Sequence, residues 1–232
     1  IVQANSISSS LFQGFNIPKI ITGIAVCVLT LLVVLNGIKS ISDFAQTLVP
    51  FMTIAYMIVS LFVIFSNYQL IIPAFKNIIT SAFSLKSVSG GIFGSLFFNG
   101  LYYGVNRGIF SNEAGMGSAP IAYAASSDKD PVRNGFLGIF EVFLDTIVTC
   151  TLTGLVILTS DIKNLNGAAL TQAAYAKSLG NFANIFIGVC IAIFAFCSII
   201  TWCYYGEQCL LYLSKGKYLN AYKIIFCILI IL

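Results

Sequence analysis

Apolar residues in this chain gather into runs about as long as a bilayer is thick, and that constrains the fold more than any other feature. Crossing a hydrocarbon core takes about 20 mostly apolar helical residues. Ile20 to Asn36 and residues 47–66, 90–109, 134–159 and 182–213 supply runs of that order. In such a setting every backbone amide and carbonyl must be satisfied within the chain, which leaves helices or a closed barrel. Runs of this length and continuity specify helices, so the expectation is an all-α, polytopic membrane helix bundle. With 58% hydrophobic and only 9% charged residues, a soluble globular domain is excluded.

The same ruler applied along the chain gives one transmembrane domain over 1–232, incomplete at both ends. Spans are expected at about 1–13, 18–36, 47–66, 90–109, 134–159, 182–213 and 221–232, with a surface helix at 68–83. The first opens in apolar sequence without a cap or basic leader, and the last is still apolar at Leu232. Pro18 suits a first helical turn, and Asn36-Gly37 is a natural helix stop. Residues 68–83 are shorter and more polar, with Pro73 and Lys76 interrupting them, which places that helix at a surface.

The net charge of +4 is too sparse for a nucleic-acid face and reads as loop charge beside a bilayer. Lys39, Arg107, Lys129, Arg133, Lys215, Lys217 and Lys223 fall on one side, against Lys19, Lys76, Lys86, Lys163 and Lys177 on the other. The positive-inside rule assigns the first group to the cytoplasm. Seven cysteines lie in or beside apolar runs without metal-type spacing and read as soft packing residues.

Between two apolar runs lies a charged, glycine-rich segment, Arg107-Gly108-Ile109-Phe110-Ser111-Asn112-Glu113-Ala114-Gly115-Met116-Gly117-Ser118-Ala119-Pro120. Irregular backbone survives at membrane depth only where protein or a water-filled path shelters it, so this segment belongs at a surface or in a polar cavity. Upstream, Gly90, Gly91 and Gly94, then Gly100, Gly104 and Gly108, set small residues at four-residue spacing. That pattern serves either close helix packing or a helix broken at Gly90 and Gly91.

Polar residues inside apolar spans mark cavities or partners. Gln3, Asn5 and Ser6 lie in the first span, as interhelical hydrogen-bonding groups or as amides that fix a small zwitterion. Glu141 and Asp145 stand one helical turn apart, a carboxylate pair for a cation or proton, or partners for Arg133 or Arg107. Cys197, Ser198, Thr201, Trp202, Tyr204 and Tyr205 cluster in the sixth span, where the aromatics also fit an interfacial belt.

The run from Gly104 to Pro120 resembles the signature of the alanine or glycine:cation symporters, the sodium:alanine symporter family. Gln3-Ala4-Asn5-Ser6-Ile7, Val49-Pro50-Phe51-Met52, Phe143-Leu144-Asp145-Thr146 with Cys150-Thr151, and Tyr204-Tyr205-Gly206-Glu207 resemble further stretches of that family in order. The resemblance implies a partial LeuT-type fold, built of two inverted five-helix repeats with substrate and sodium bound near mid-membrane between broken helices. The spans here would then be core helices three to nine. It implies sodium-coupled symport of a small neutral amino acid, alanine or glycine, across the plasma membrane by alternating access, from a multi-pass protein of the bacterial inner membrane. Gln3 and Asn5 would lie at the substrate, with Gly90, Gly91 and Phe93 forming the helix break and Trp202 nearby. Cys197 and Ser198 would match the hydroxyl pair that ligates sodium, and Arg107, Ser111, Asn112, Glu113, Gly115 and Asp145 would form the signature and gate. The partners implied are the amino acid, the sodium ion and the bilayer, with no cofactor beyond the coupling ion.

Two departures stand out. Position 197 is Cys where the family usually has a hydroxyl, and a thiol suits a hard cation poorly. Tyr123 stands where the family often has His, and the chain has no histidine, so proton coupling would use Glu113, Glu141, Asp145 or Glu207. A proton-coupled transporter of the same fold is the alternative function. A membrane enzyme is a further one, disfavoured because HExxH, GxSxG and a histidine base are all missing.

Overall fold

The computed structural model describes residues 2–35, 37–82, 91–162 and 164–231, and among them it is helical, with no strand. In chain order the helices are α1 (Val2–Phe15), α2 (Lys19–Leu35), α3 (Ile38–Ser66), α4 (Ile71–Ala82), α5 (Gly91–Asn112), α6 (Ala119–Ala124), α7 (Pro131–Val142), α8 (Cys150–Ser160), α9 (Gly167–Leu179), α10 (Asn181–Ser214) and α11 (Leu219–Ile231). A π-helical segment, Phe143–Thr149, joins α7 to α8, so one helical rod runs from Pro131 to Ser160. Among the described residues three rods are long and apolar enough to cross a membrane: Ser40–Ser66, Pro131–Ser160 and Asn181–Ser214. α2 and α11 are apolar but shorter.

Two compact units divide the chain. The first holds residues 1–63 and 160–232, organised around α10, which packs against α1, α2, α9 and α11. Its buried positions Ala183, Ile187, Cys190, Phe196, Ile199, Ile200 and Cys203 recur at helical period, forming the seam on which the neighbours lie. At 34 residues α10 is about 50 Å long by helical rise, well beyond a hydrocarbon core of about 30 Å. On α2 the buried face is a strict stripe of Thr22, Val26, Thr30 and Val34. Edge-to-face rings bind α3 to α10, with Phe44 and Phe196 at 5.3 Å and Tyr56 and Phe194 at 6.2 Å between centroids.

Helix α9 falls in a stretch read from sequence as a loop. Its anchors are polar. Gln172 is fully buried and donates through Nε2 to the carbonyls of Ser10 at 3.2 Å and Asn184 at 2.7 Å. A Cβ at Gly188 would stand 2.8 Å from that nitrogen, so α10 needs glycine there to admit the carboxamide. Tyr175, also fully buried, lies 2.6 Å from the Ser60 hydroxyl, whose own proton goes to the Tyr56 carbonyl at 2.7 Å. Ser60 has a single proton to give, so the Tyr175 phenol is the donor of that pair. Lys177 completes the set by donating to the Ser160 carbonyl at the end of α8. Sequence had counted Lys177 among loop charges.

The second unit holds residues 64–159. Asp130 caps α7 by accepting from the Val132 amide at 2.9 Å, with Pro131 at the first helical position. α5 ends at Asn112, and the chain then passes through three left-handed residues, Glu113 (φ 53), Gly115 (φ 74) and Gly117 (φ 73), before α6. Nothing lies within 4 Å of a Cβ built at Gly115 or Gly117, so backbone conformation rather than space calls for glycine there.

Candidate functional site

The signature residues draw together in the second unit, where the last turn of α5 meets the π-helical segment. Ser111 Oγ donates to Asp145 Oδ2 at 2.5 Å, and Thr146 Oγ1 donates to the Asn112 side-chain oxygen. Both bonds link residues 34 positions apart, so the end of α5 and the π segment are tied in register. The wide turn is visible in its own bonds. The Cys150 amide reaches the Asp145 carbonyl, and Thr149 Oγ1 reaches the Leu144 carbonyl at 2.9 Å, each a five-residue step back. Single π turns inside α-helices concentrate at functional sites.

Glu113 follows at once. Its left-handed backbone is uncommon for a side chain of its size and is held by bonds on both flanks. The Ala114 amide reaches the Ile109 carbonyl at 3.2 Å, and the Met116 amide reaches the Glu113 carbonyl at 3.2 Å. The buried Ser118 hydroxyl donates to Glu113 Oε2 at 2.6 Å. Tyr123, from α6, donates to Glu141 Oε2 at 3.0 Å. Partial burial and the neighbouring Glu141 carboxylate push the Tyr123 phenol up to about 12, so it stays a donor throughout the physiological range.

Glu141 and Asp145 each accept from a separate hydroxyl, Tyr123 for one and Ser111 for the other. Arg133 lies 3.5 Å from Asp128, at the exposed start of α7. Arg107 is exposed on α5. Ser118, Tyr123, Thr146 and Thr149 were not singled out as site residues, and only their hydroxyls, close to the signature, could have marked them.

The remaining candidates are spread over both units. Gln3 is half-buried and Asn5 exposed on α1, the helix that packs along α10. Trp202 on α10 meets Tyr205 edge to face, 5.6 Å between centroids. Ser198 donates to the Phe194 carbonyl one turn back at 3.1 Å, and the Cys197 thiol beside it is half-buried. No group of three or more His, Cys, Asp or Glu side chains lies together for a metal among the described residues. Gly91 opens α5; Gly90 and the side chain of Phe93 lie outside the described residues.

Comparison with known proteins decides the class. The sequence model of the Sodium:alanine symporter family matches residues 1–232. The chain belongs to the sodium:alanine symporter family. The sodium/alanine symporter AgcS of Methanococcus maripaludis is 39% identical over 97% of this chain and 50% of its own length. The probable sodium/glutamine symporter GlnT of Bacillus subtilis is 37% identical over 93% of the chain and 45% of its length. A sodium/proton-dependent alanine carrier protein from a Bacillus species is 33% identical over 97% and 54%. The chain thus spans about half the length of the curated relatives it matches. The family and these relatives are described as transporters rather than enzymes.

Proposed function

We propose that this chain forms part of a sodium-coupled symporter that carries a small neutral amino acid, alanine or glycine, across the plasma membrane by alternating access. The observation that carries the reading is the family match over residues 1–232, which includes the signature segment from Arg107 to Gly115. Two inverted repeats of the LeuT type supply the architecture in this reading, with unwound helices exposing backbone groups to substrate and ion.

In this mechanism the amides of Gln3 and Asn5 orient the amino acid, and the Trp202 ring, braced by Tyr205, limits the side chain to about a methyl group. Sodium takes oxygen ligands, so Ser198 and backbone carbonyls serve it while the Cys197 thiol contributes packing. The signature contacts at Ser111, Asn112, Glu113 and Asp145 hold the gate end of α5. Proton coupling is the second reading, favoured by the sodium/proton-dependent name of one relative and by the protonatable contacts at Glu113 and Glu141.

Equilibrium binding tests the site. Alanine should bind a purified full-length carrier containing this chain in sodium buffer and lose about tenfold or more in affinity in matched potassium buffer, a coupling of about 1.4 kcal/mol. Equal affinity in the two buffers would contradict sodium coupling.

A further inference from the structure

We infer that the π-helical segment Phe143–Thr149 is a register clamp, closed on the end of α5 through Ser111–Asp145 and Asn112–Thr146 and opened once in each transport cycle. The inference rests on the transporter reading above and adds a moving part to it.

Three observations converge. The two bonds join consecutive residues, Ser111 and Asn112, to consecutive residues, Asp145 and Thr146, so a one-residue change of register would break both. They land on the only π-helical segment among the described residues, where one residue more than an α turn is accommodated. Passing that extra residue along the rod would turn Asp145 and Thr146 by about 100°, one helical step, and carry both away from α5. The rod itself stays helical, so the change repositions two side chains without unfolding a span. Finally, the chain leaving α5 takes left-handed backbone at Glu113, Gly115 and Gly117, and the two glycines stand in open space. With Glu113 held by Ser118, movement of α5 relative to α6 would fall on the glycine turn between them.

The groups at the clamp are hydroxyls, an amide and a carboxylate, with the Cys150 thiol beside Ser111 and Asp145, rather than packed hydrocarbon. Ser111 and Asp145 are exposed, and Asn112 and Thr146 are half-buried. Such a contact closes with little apolar burial to lose on opening, and net hydrogen-bond terms in membrane proteins average about 0.6 kcal/mol. A difference that small is readily shifted by binding of ion or substrate elsewhere.

A full-length carrier containing this chain, carrying Ser111→Cys with Asp145→Cys, tests the clamp by bridging the two thiols with a short, reducible bis-thiosulfonate. Bridging should arrest alanine exchange by about tenfold and reduction should restore it, because a conformational step would be blocked. With the neighbouring exposed Cys150 replaced by Ala throughout, each single variant should exchange at the same rate after the treatment as before it. Exchange by the bridged carrier at the rate of its reduced form would overturn the clamp. Should the double variant be inactive before bridging, hydrogen exchange on the wild-type carrier decides. Amides of residues 143–149 should change exchange rate about fivefold between potassium alone and sodium with alanine, while α7 and α8 do not. Identical rates would again overturn it. Wild-type carrier that takes up no amino acid would sink the transporter reading instead, so the two failures are separable.

Discussion

The Lys223 ammonium lies 2.8 Å from the Glu207 carboxylate and also donates to the Val34 carbonyl at 3.3 Å. One side chain of α11 thereby holds α10 and the C-terminal end of α2. Val34 lies in the last turn of α2, where its carbonyl also accepts from the Gly37 amide at 3.1 Å and the helix dipole favours a cation. Gly206, just before Glu207, leaves no space for a Cβ against the Tyr222 phenol, which is how α10 and α11 come close enough for the pair.

Removing one partner of this pair strands the other. Lys223→Met is expected to cost about 3–5 kcal/mol, because the side chains of Lys223 and Glu207 are only 10% and 15% exposed. Thermal unfolding of the purified carrier checks it, and Lys223→Met with Glu207→Gln should recover much of the loss. A single variant with unchanged midpoint would show that the pair contributes nothing.

Gln172 offers a neutral counterpart. Gln172→Leu removes the second donor of the Ser10 and Asn184 carbonyls, each already bonded within its own helix, and should destabilise by about 1 kcal/mol for each bond lost. Gly188→Ala should act at the same place through the clash with Nε2, so combining the two should cost less than the sum of the single changes. Strict additivity in melting shifts would contradict the shared site.

Tyr123 carries a pH signature. Its folded-state value of about 12 lies above the ordinary 10.0, so the neutral phenol is favoured by folding. Its contribution is fully present below pH 10 and is lost as pH rises toward about 12. The stability difference between wild type and Tyr123→Phe should be constant from pH 7 to about 9.5 and shrink above it. A difference that grows in alkali would contradict a donor role.

Apolar run length made the helical membrane class readable, since few soluble folds bury so much hydrocarbon. Where polar residues lie within a helix, that ruler failed. α3 begins at Ile38 rather than near residue 47, because Asp43, Gln46 and Lys39 interrupt its apolar pattern without interrupting the helix. α9 escaped for the same reason, its packing being carried by Gln172, Tyr175 and Lys177 rather than by an apolar stripe. The signature segment was legible as an irregular polar stretch between apolar runs, but the partners of its side chains were not. Pairing of Ser111 with Asp145 depends on tertiary placement across 34 residues, and nothing in the local pattern announces that Phe143–Thr149 will be a π turn.

Uptake of labelled alanine by proteoliposomes bearing a full-length carrier containing this chain tests the central claim most directly. Under an inward sodium gradient the account predicts accumulation well above a matched potassium control, and its loss in Gln3→Ala. Accumulation that ignored sodium and followed a pH gradient would move the coupling to protons. No uptake of any small neutral amino acid, from carrier shown to be folded, would contradict the account.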